Sequence, residues 1–160
     1  MDYLALKWIH VMSSTILFGA GVGSAFHLFS ATLQRGTPGA ATATRNVVWA
    51  DWLFTTPSAI VQPVTGLALV HQLKLPLSTP WVVWSLALYA FAMACWLPVL
   101  WIQIRLRDLA AAAEREGAAL PPAYWRLFRW WVGLGFGGLF SFLLIFWLMV
   151  VKHLPFLRTP

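Results

Sequence analysis

An all-α fold of four membrane-crossing helices, arranged as an antiparallel up-down bundle, follows from three features of this sequence. Apolar residues run almost unbroken over approximately 4–33, 47–73, 81–104 and 124–151. Nearly every charge falls between those runs. No stretch shows the ~10-residue alternation of a membrane barrel strand. Each run exceeds the ~20 residues that a helix rising 1.5 Å per residue needs to cross ~30 Å of hydrocarbon. Hydrophobic residues make up 60% of the chain and charged residues 10%, against about 25% charged in a soluble domain. No soluble domain is left, and residues 1–160 read as a single transmembrane domain whose main partner is the lipid bilayer.

The formal charge of +6 does not point to nucleic acid, because the basic residues flank the spans, where they set orientation. Arg35, Arg45, Arg105, Arg107, Arg115, Arg126 and Arg129 border the 1–2 and 3–4 connections; Lys7, Lys74, Lys152 and Arg158 lie on the other side. This bias predicts that both termini are outside and the two arginine-bearing connections are cytoplasmic. The opening Met1–Lys7 lacks the basic stretch of a cleaved signal peptide and its apolar run is too long for one, so the first span is expected to stay. The one cysteine, Cys95, excludes an internal disulfide and a cysteine-rich metal site.

Span one carries Gly19-x-x-x-Gly23, and span four Gly133-x-x-x-Gly137. That spacing lets helix backbones approach closely, within the bundle or in a homo-oligomer, and also leaves room for a flat cofactor. On span one His10, Ser14, Gly21 and Ser24 lie within about 40° of one direction at ~100° per residue. His10 therefore belongs to a small, polar stripe. An imidazole in such a place is either a hydrogen-bonded structural residue or a ligand for haem iron or copper. A connection of about a dozen residues around Gly36–Arg45 is expected before span two.

Span two carries Asp51, Thr55, Ser58, Gln62 and Thr65, at steps of four, three, four and three. These residues share one helix face, which must point into the bundle as a hydrogen-bond ladder or as a ligand-lining surface. Pro57 and Pro63 remove backbone donors from the same span. His71, late in span two, lies at the depth of His10 and is the candidate second ligand, although it stands about 180° from Gln62 on an ideal helix. Span three contains Pro98 and runs on as a helix into water through Arg105–Glu116, ended by Gly117; Pro121-Pro122 opens span four. His27, Asp51, Gln103 and Arg105 gather at the opposite depth to His10. That cluster is a separate candidate site for an anion or a proton relay, or a salt-bridge network. Most of the eleven tryptophans fall near span ends, as in an aromatic belt; Trp96 falls mid-span.

Leu6-Lys-Trp-Ile-His10 with Phe18–Gly23, then Asp51–Pro57, Gln62–Gly66 and Cys95–Gln103, resemble the signatures of a bacterial family of small integral membrane proteins catalogued as a domain of unknown function. The resemblance spans nearly the whole chain and implies the bacterial inner (cytoplasmic) membrane. More distantly, the layout is similar to HemJ-type protoporphyrinogen oxidases and CopD-like copper proteins, through Leu6-Lys-x-x-His10 and Arg105-Leu-Arg-Asp-Leu109. The HemJ resemblance implies b-type haem held by His10. The chain has Ser85 and Trp96 near the positions where that group carries a lysine and a second histidine. The leading expectation is thus a haem b membrane protein with an oxidoreductase or electron-transfer role and quinone or a redox protein as partner. Its binding residues would be His10, Ser14, Gly21 and His71. The alternatives are copper handling through His10, Met12 and His153, and a cofactor-free accessory subunit.

Overall fold

A computed structural model of the chain describes residues 2–34 and 36–152. Arg35, His153 and Arg158, which figure in the orientation and copper readings, lie outside the described residues. The order of elements is α1 (Tyr3–Gln34), α2 (Gly36–Ala50), a π-helical turn (Asp51–Thr55), α3 (Thr56–Gln72), α4 (Pro80–Arg115) and α5 (Pro122–Val151). Residues Gly36–Gln72 form one rod, so four rods are long and apolar enough to span a membrane, and no strand occurs among the described residues. α1 and α4, at 32 and 36 residues, reach about 48 and 54 Å at 1.5 Å per residue. Both outrun the hydrocarbon core.

The stretch expected as the first connection is helical. Ala40, Ala41, Ala43 and Thr44 are buried there. Small side chains let α2 approach α1 and α4 closely, and that packing replaces the missing apolar run. The π turn precedes Pro57, and the Thr56 N–H reaches back to the Asp51 carbonyl. Pro57 has no N–H and its ring would crowd the carbonyl four residues back; widening the preceding turn relieves this. At Pro63 the solution differs. The carbonyl that Pro63 leaves without its helical donor is that of Ala59, and the Tyr89 hydroxyl of α4 donates to it.

Chain reversals carry their expected signals. Lys74 (φ 52°) closes α3, with the Leu75 N–H on the Val70 carbonyl at 3.1 Å. Gly117 (φ 62°) ends α4, with the Ala118 N–H on the Ala113 carbonyl at 2.9 Å. Both have the six-to-one closure that satisfies terminal carbonyls, and glycine at 117 adopts the left-handed conformation without steric cost. The Thr37 hydroxyl donates to the Ala118 carbonyl at 3.0 Å. This bond places the α1–α2 and α4–α5 reversals at one end of the bundle, the far end. The start of α1, the α3–α4 loop and the finish of α5 share the near end.

The two ends are built differently. α1 packs along α2, the π turn and α3; α4 packs along α5 and α2; α1 meets α5 only sparingly. The apolar core lies in the far half, with Leu28, Ala31, Val47, Ile102, Leu106, Tyr124 and Phe128 among its members. There the Tyr124 hydroxyl and Thr32 share a buried hydrogen bond of 2.9 Å. In the near half Leu6, Leu17, Val70, Val82, Ile145 and Leu148 are buried together with the hydroxyls of Ser13, Ser58, Thr65, Ser85 and Ser141. Phe26, Trp49, Trp130 and Val150 are among many exposed apolar side chains, a surface that acyl chains solvate. Trp131 departs from the belt pattern: it is 6% exposed and stacks on Phe128 with ring centroids 5.7 Å apart.

Candidate functional site

The near half contains a groove between the α1/α3 pair and the α4/α5 pair. His10, Ser14, Gln62, Gly66, Ser85, Tyr89 and Met149 line it, with Leu67, Phe142, Ile145 and Phe146 as its apolar walls. The room beside these side chains is about 70 Å³. That room is well below the range of about 300–1,000 Å³ typical of small-molecule and cofactor sites.

His10 is held from two sides by the rod it packs against. Its Nδ1 lies 2.9 Å from Thr65 Oγ1. The Thr65 hydroxyl spends its proton on the Val61 carbonyl at 2.7 Å, so it accepts from His10, and Nδ1 carries the hydrogen. That leaves the lone pair on Nε2, the tautomer assigned by the network. The Gln62 amide nitrogen sits 3.3 Å from Nε2, a long and weak contact. Gln62 is itself oriented, because its Oε1 accepts from Ser13 Oγ at 2.5 Å. Gly66 completes the seat: a Cβ there would come within 3.1 Å of His10 Cε1. An imidazole whose Nδ1–H is bonded is the arrangement by which proteins fix a metal-ligating histidine, although here the Gln62 amide occupies Nε2.

The spacing of span two carries through to the structure: Asp51, Thr55, Ser58 and Thr65 are buried, and Gln62 lines the groove. Ser14 also lines the groove, its hydroxyl turned back to the Val11 carbonyl at 2.8 Å. Gly21 does not reach it and has open space at its Cβ position; the same holds for Gly19 and Gly23, which face outward. His71 is exposed, is not among the groove's lining residues, and so is not brought to His10. Met12, proposed with His10 for copper, is exposed, two residues and about 200° round the helix from His10. Among the described residues no group of three or more His, Cys, Asp and Glu side chains gathers around a point. In the far half Gln103 faces Asp51 across a small cavity, while Arg105 is exposed and lies over the Trp101 ring at 5.7 Å. His27 keeps Nε2 buried without a hydrogen-bond partner.

Sequence reasoning missed Tyr89, Phe142 and Met149 as lining residues. Antiparallel threading was the available signal for Met149, since the end of α5 returns to the depth of His10. Of the near-half glycines, Gly66 seats the His10 ring and Gly137 admits Cys95 Sγ at 3.2 Å from its Cβ position. Only the second belongs to a Gly-x-x-x-Gly pair.

No curated protein and no solved structure matches the chain. Residues 4–153 match the family described as "Predicted integral membrane protein (DUF2269)", so this four-helix membrane chain belongs to that family.

Proposed function

We propose that this protein binds b-type haem in the near-half groove and serves a redox or electron-transfer role in the bacterial inner membrane, with the near end outside. One observation carries the reading: an imidazole inside an apolar span, its Nδ1 held by Thr65, lines a groove between the helix pairs. Intramembrane ionisable groups are costly and mark functional sites by default.

The donor chemistry fits the group. His10 would hold haem iron through its imidazole, and the Met149 thioether, which lines the same groove from α5, is a second donor of a type that haem iron takes. The apolar walls from Phe142, Ile145 and Phe146 suit a macrocycle. The space at the ring takes an edge of such a molecule. Full seating requires the near ends of α1 and α3 to part from α4 and α5; α1 and α5 share little packing there, while the Tyr89 bond to the Ala59 carbonyl and the α2–α4 packing hold the pairs together. Bound haem would supply one-electron chemistry. The chain's own part is to hold the imidazole tautomer through Thr65, to yield Gln62 from Nε2, and to keep bulk water out with the phenylalanines. A lipid-soluble quinone or a neighbouring redox protein is the electron partner in this reading.

The test is a histidine series read by visible absorption of the purified, detergent-solubilised chain. His10→Ala loses the haem band; His71→Ala and His27→Ala keep it. Equal retention by all three variants would remove His10 from the site.

A further inference from the structure

The far half holds a polar feature that the groove does not use. The chain has five acidic residues. Asp51 alone lies within an apolar run, since Asp2 precedes α1, Asp108 and Glu114 lie on the last turns of α4, and Glu116 follows it. Asp51 is 4% exposed, and its Oδ2 has no hydrogen-bond partner. Thr55, at the other end of the π turn, is 5% exposed, and its Oγ1 also has none. Gln103 of α4, 5% exposed, faces Asp51. Thr55 closes the same π turn and Gln103 shares a cavity with Asp51, yet Oδ2 stays unsatisfied. Asp51 and Gln103, with Val48, Trp52, Leu100 and Ile104, line a cavity of about 20 Å³, enough for one water-sized guest.

Among the described residues no cationic side chain forms an ion pair with this carboxyl. The ion pair among the described residues is Arg107–Asp108 at 2.8 Å. Of the titratable groups on the elements around Asp51, Arg45 of α2 is exposed, Arg105 of α4 is exposed over Trp101, and His27 of α1 has its buried Nε2 unpaired. α3 brings no charged group near this turn. Pro57, lacking an N–H, also leaves one carbonyl of the π turn without its helical donor. A lone buried carboxylate in hydrocarbon is strongly disfavoured, and oxygen ligands from side chains and an irregular helix turn are how membrane proteins hold small cations.

We propose that Asp51, Thr55 and Gln103 form a second site, an oxygen-lined seat for one small monovalent cation, H⁺ or Na⁺. It stands apart from the groove and its ligand.

Dicyclohexylcarbodiimide tests this on the wild-type full-length chain in detergent, because it modifies carboxyl groups that hold a proton in an apolar setting. Peptide mass spectrometry is expected to find the adduct on Asp51 and not on Asp108, Glu114 or Glu116, with labelling falling at least tenfold from acidic to alkaline pH. If Na⁺ is the native guest, NaCl suppresses the adduct at fixed pH and KCl does not. If the proton is the guest, both salts leave it unchanged. Asp51→Asn serves as the unlabelled control. An Asp51 that stays unmodified in acidic, Na⁺-free buffer overturns the proposal. So does an adduct that forms equally at every pH and in every salt, since such a carboxyl exchanges no cation.

Discussion

Replacing Gly66 with alanine probes the His10 seat without reference to any cofactor. The added Cβ would stand 3.1 Å from His10 Cε1, 3.7 Å from Nδ1 and 3.9 Å from Nε2. The ring cannot swing aside freely, because Thr65 holds Nδ1 at 2.9 Å. Two opposing effects set the outcome. Removing a mid-helix glycine stabilises by about 0.5–1 kcal/mol. Overpacking against a fixed side chain costs about 1–3 kcal/mol, and straining the Thr65 bond costs up to about 1 kcal/mol more. Gly66→Ala should therefore destabilise the wild-type chain by about 1–2 kcal/mol. In a His10→Ala background the obstacle is gone and only the helix term remains, so the same substitution should stabilise by about 0.5–1 kcal/mol. The double-mutant cycle thus predicts a coupling of roughly 1.5–3 kcal/mol with a change of sign. Equilibrium unfolding in mixed micelles, compared across the four proteins, measures it. Gly66→Ala stabilising both backgrounds alike would show that the imidazole does not sit against Gly66, and the groove's account of His10 would fail.

Three further outcomes follow from the same geometry. Tyr89→Phe should cost about 1–3 kcal/mol by stranding the buried Ala59 carbonyl; in Pro63→Ala, where residue 63 regains its own N–H, the loss should nearly vanish in the same unfolding assay. Gly117→Ala forces a Cβ into the left-handed region at φ 62° and should lower stability by about 1–2 kcal/mol, with shortened helix protection near Ala113 in hydrogen exchange. For topology, single cysteines placed at Lys74 and Ala118 in a Cys95→Ala chain should react oppositely with a membrane-impermeant maleimide added to intact cells or spheroplasts: position 74 labels and position 118 does not. The reverse pattern would invert the orientation proposed from the arginine distribution.

The four rods were legible because continuous apolar runs admit one solution in lipid, a helix with all its backbone groups paired internally. Residues 36–46 were not, since Gly36, Thr37, Pro38, Gly39 and Thr42 carry no apolar run and their helix rests on small buried alanines that only the packed neighbours reveal. The inward face of span two was written in the spacing of Asp51, Thr55, Ser58, Gln62 and Thr65. The π turn beneath it was not, because a proline announces a disturbed turn without saying how the helix absorbs it. Pro57 widens the turn, while Pro63 borrows a hydroxyl from α4. Gly21 shows the limit of angular reasoning: it shares the direction of His10 yet lies three turns along α1, beyond the groove. The glycine pairs show a second limit, since spacing marks a face capable of close approach but not what meets it. Gly19 and Gly23 face outward, whereas isolated Gly66 receives the His10 ring.

The measurement that bears most directly on the proposed role is the absorption spectrum of the wild-type chain purified from its membrane, recorded oxidised and then reduced with dithionite. The account predicts an intense Soret band that shifts on reduction, together with the sharpened visible bands of a low-spin b-type haem. A colourless preparation that gains no such bands on titration with haemin would contradict it.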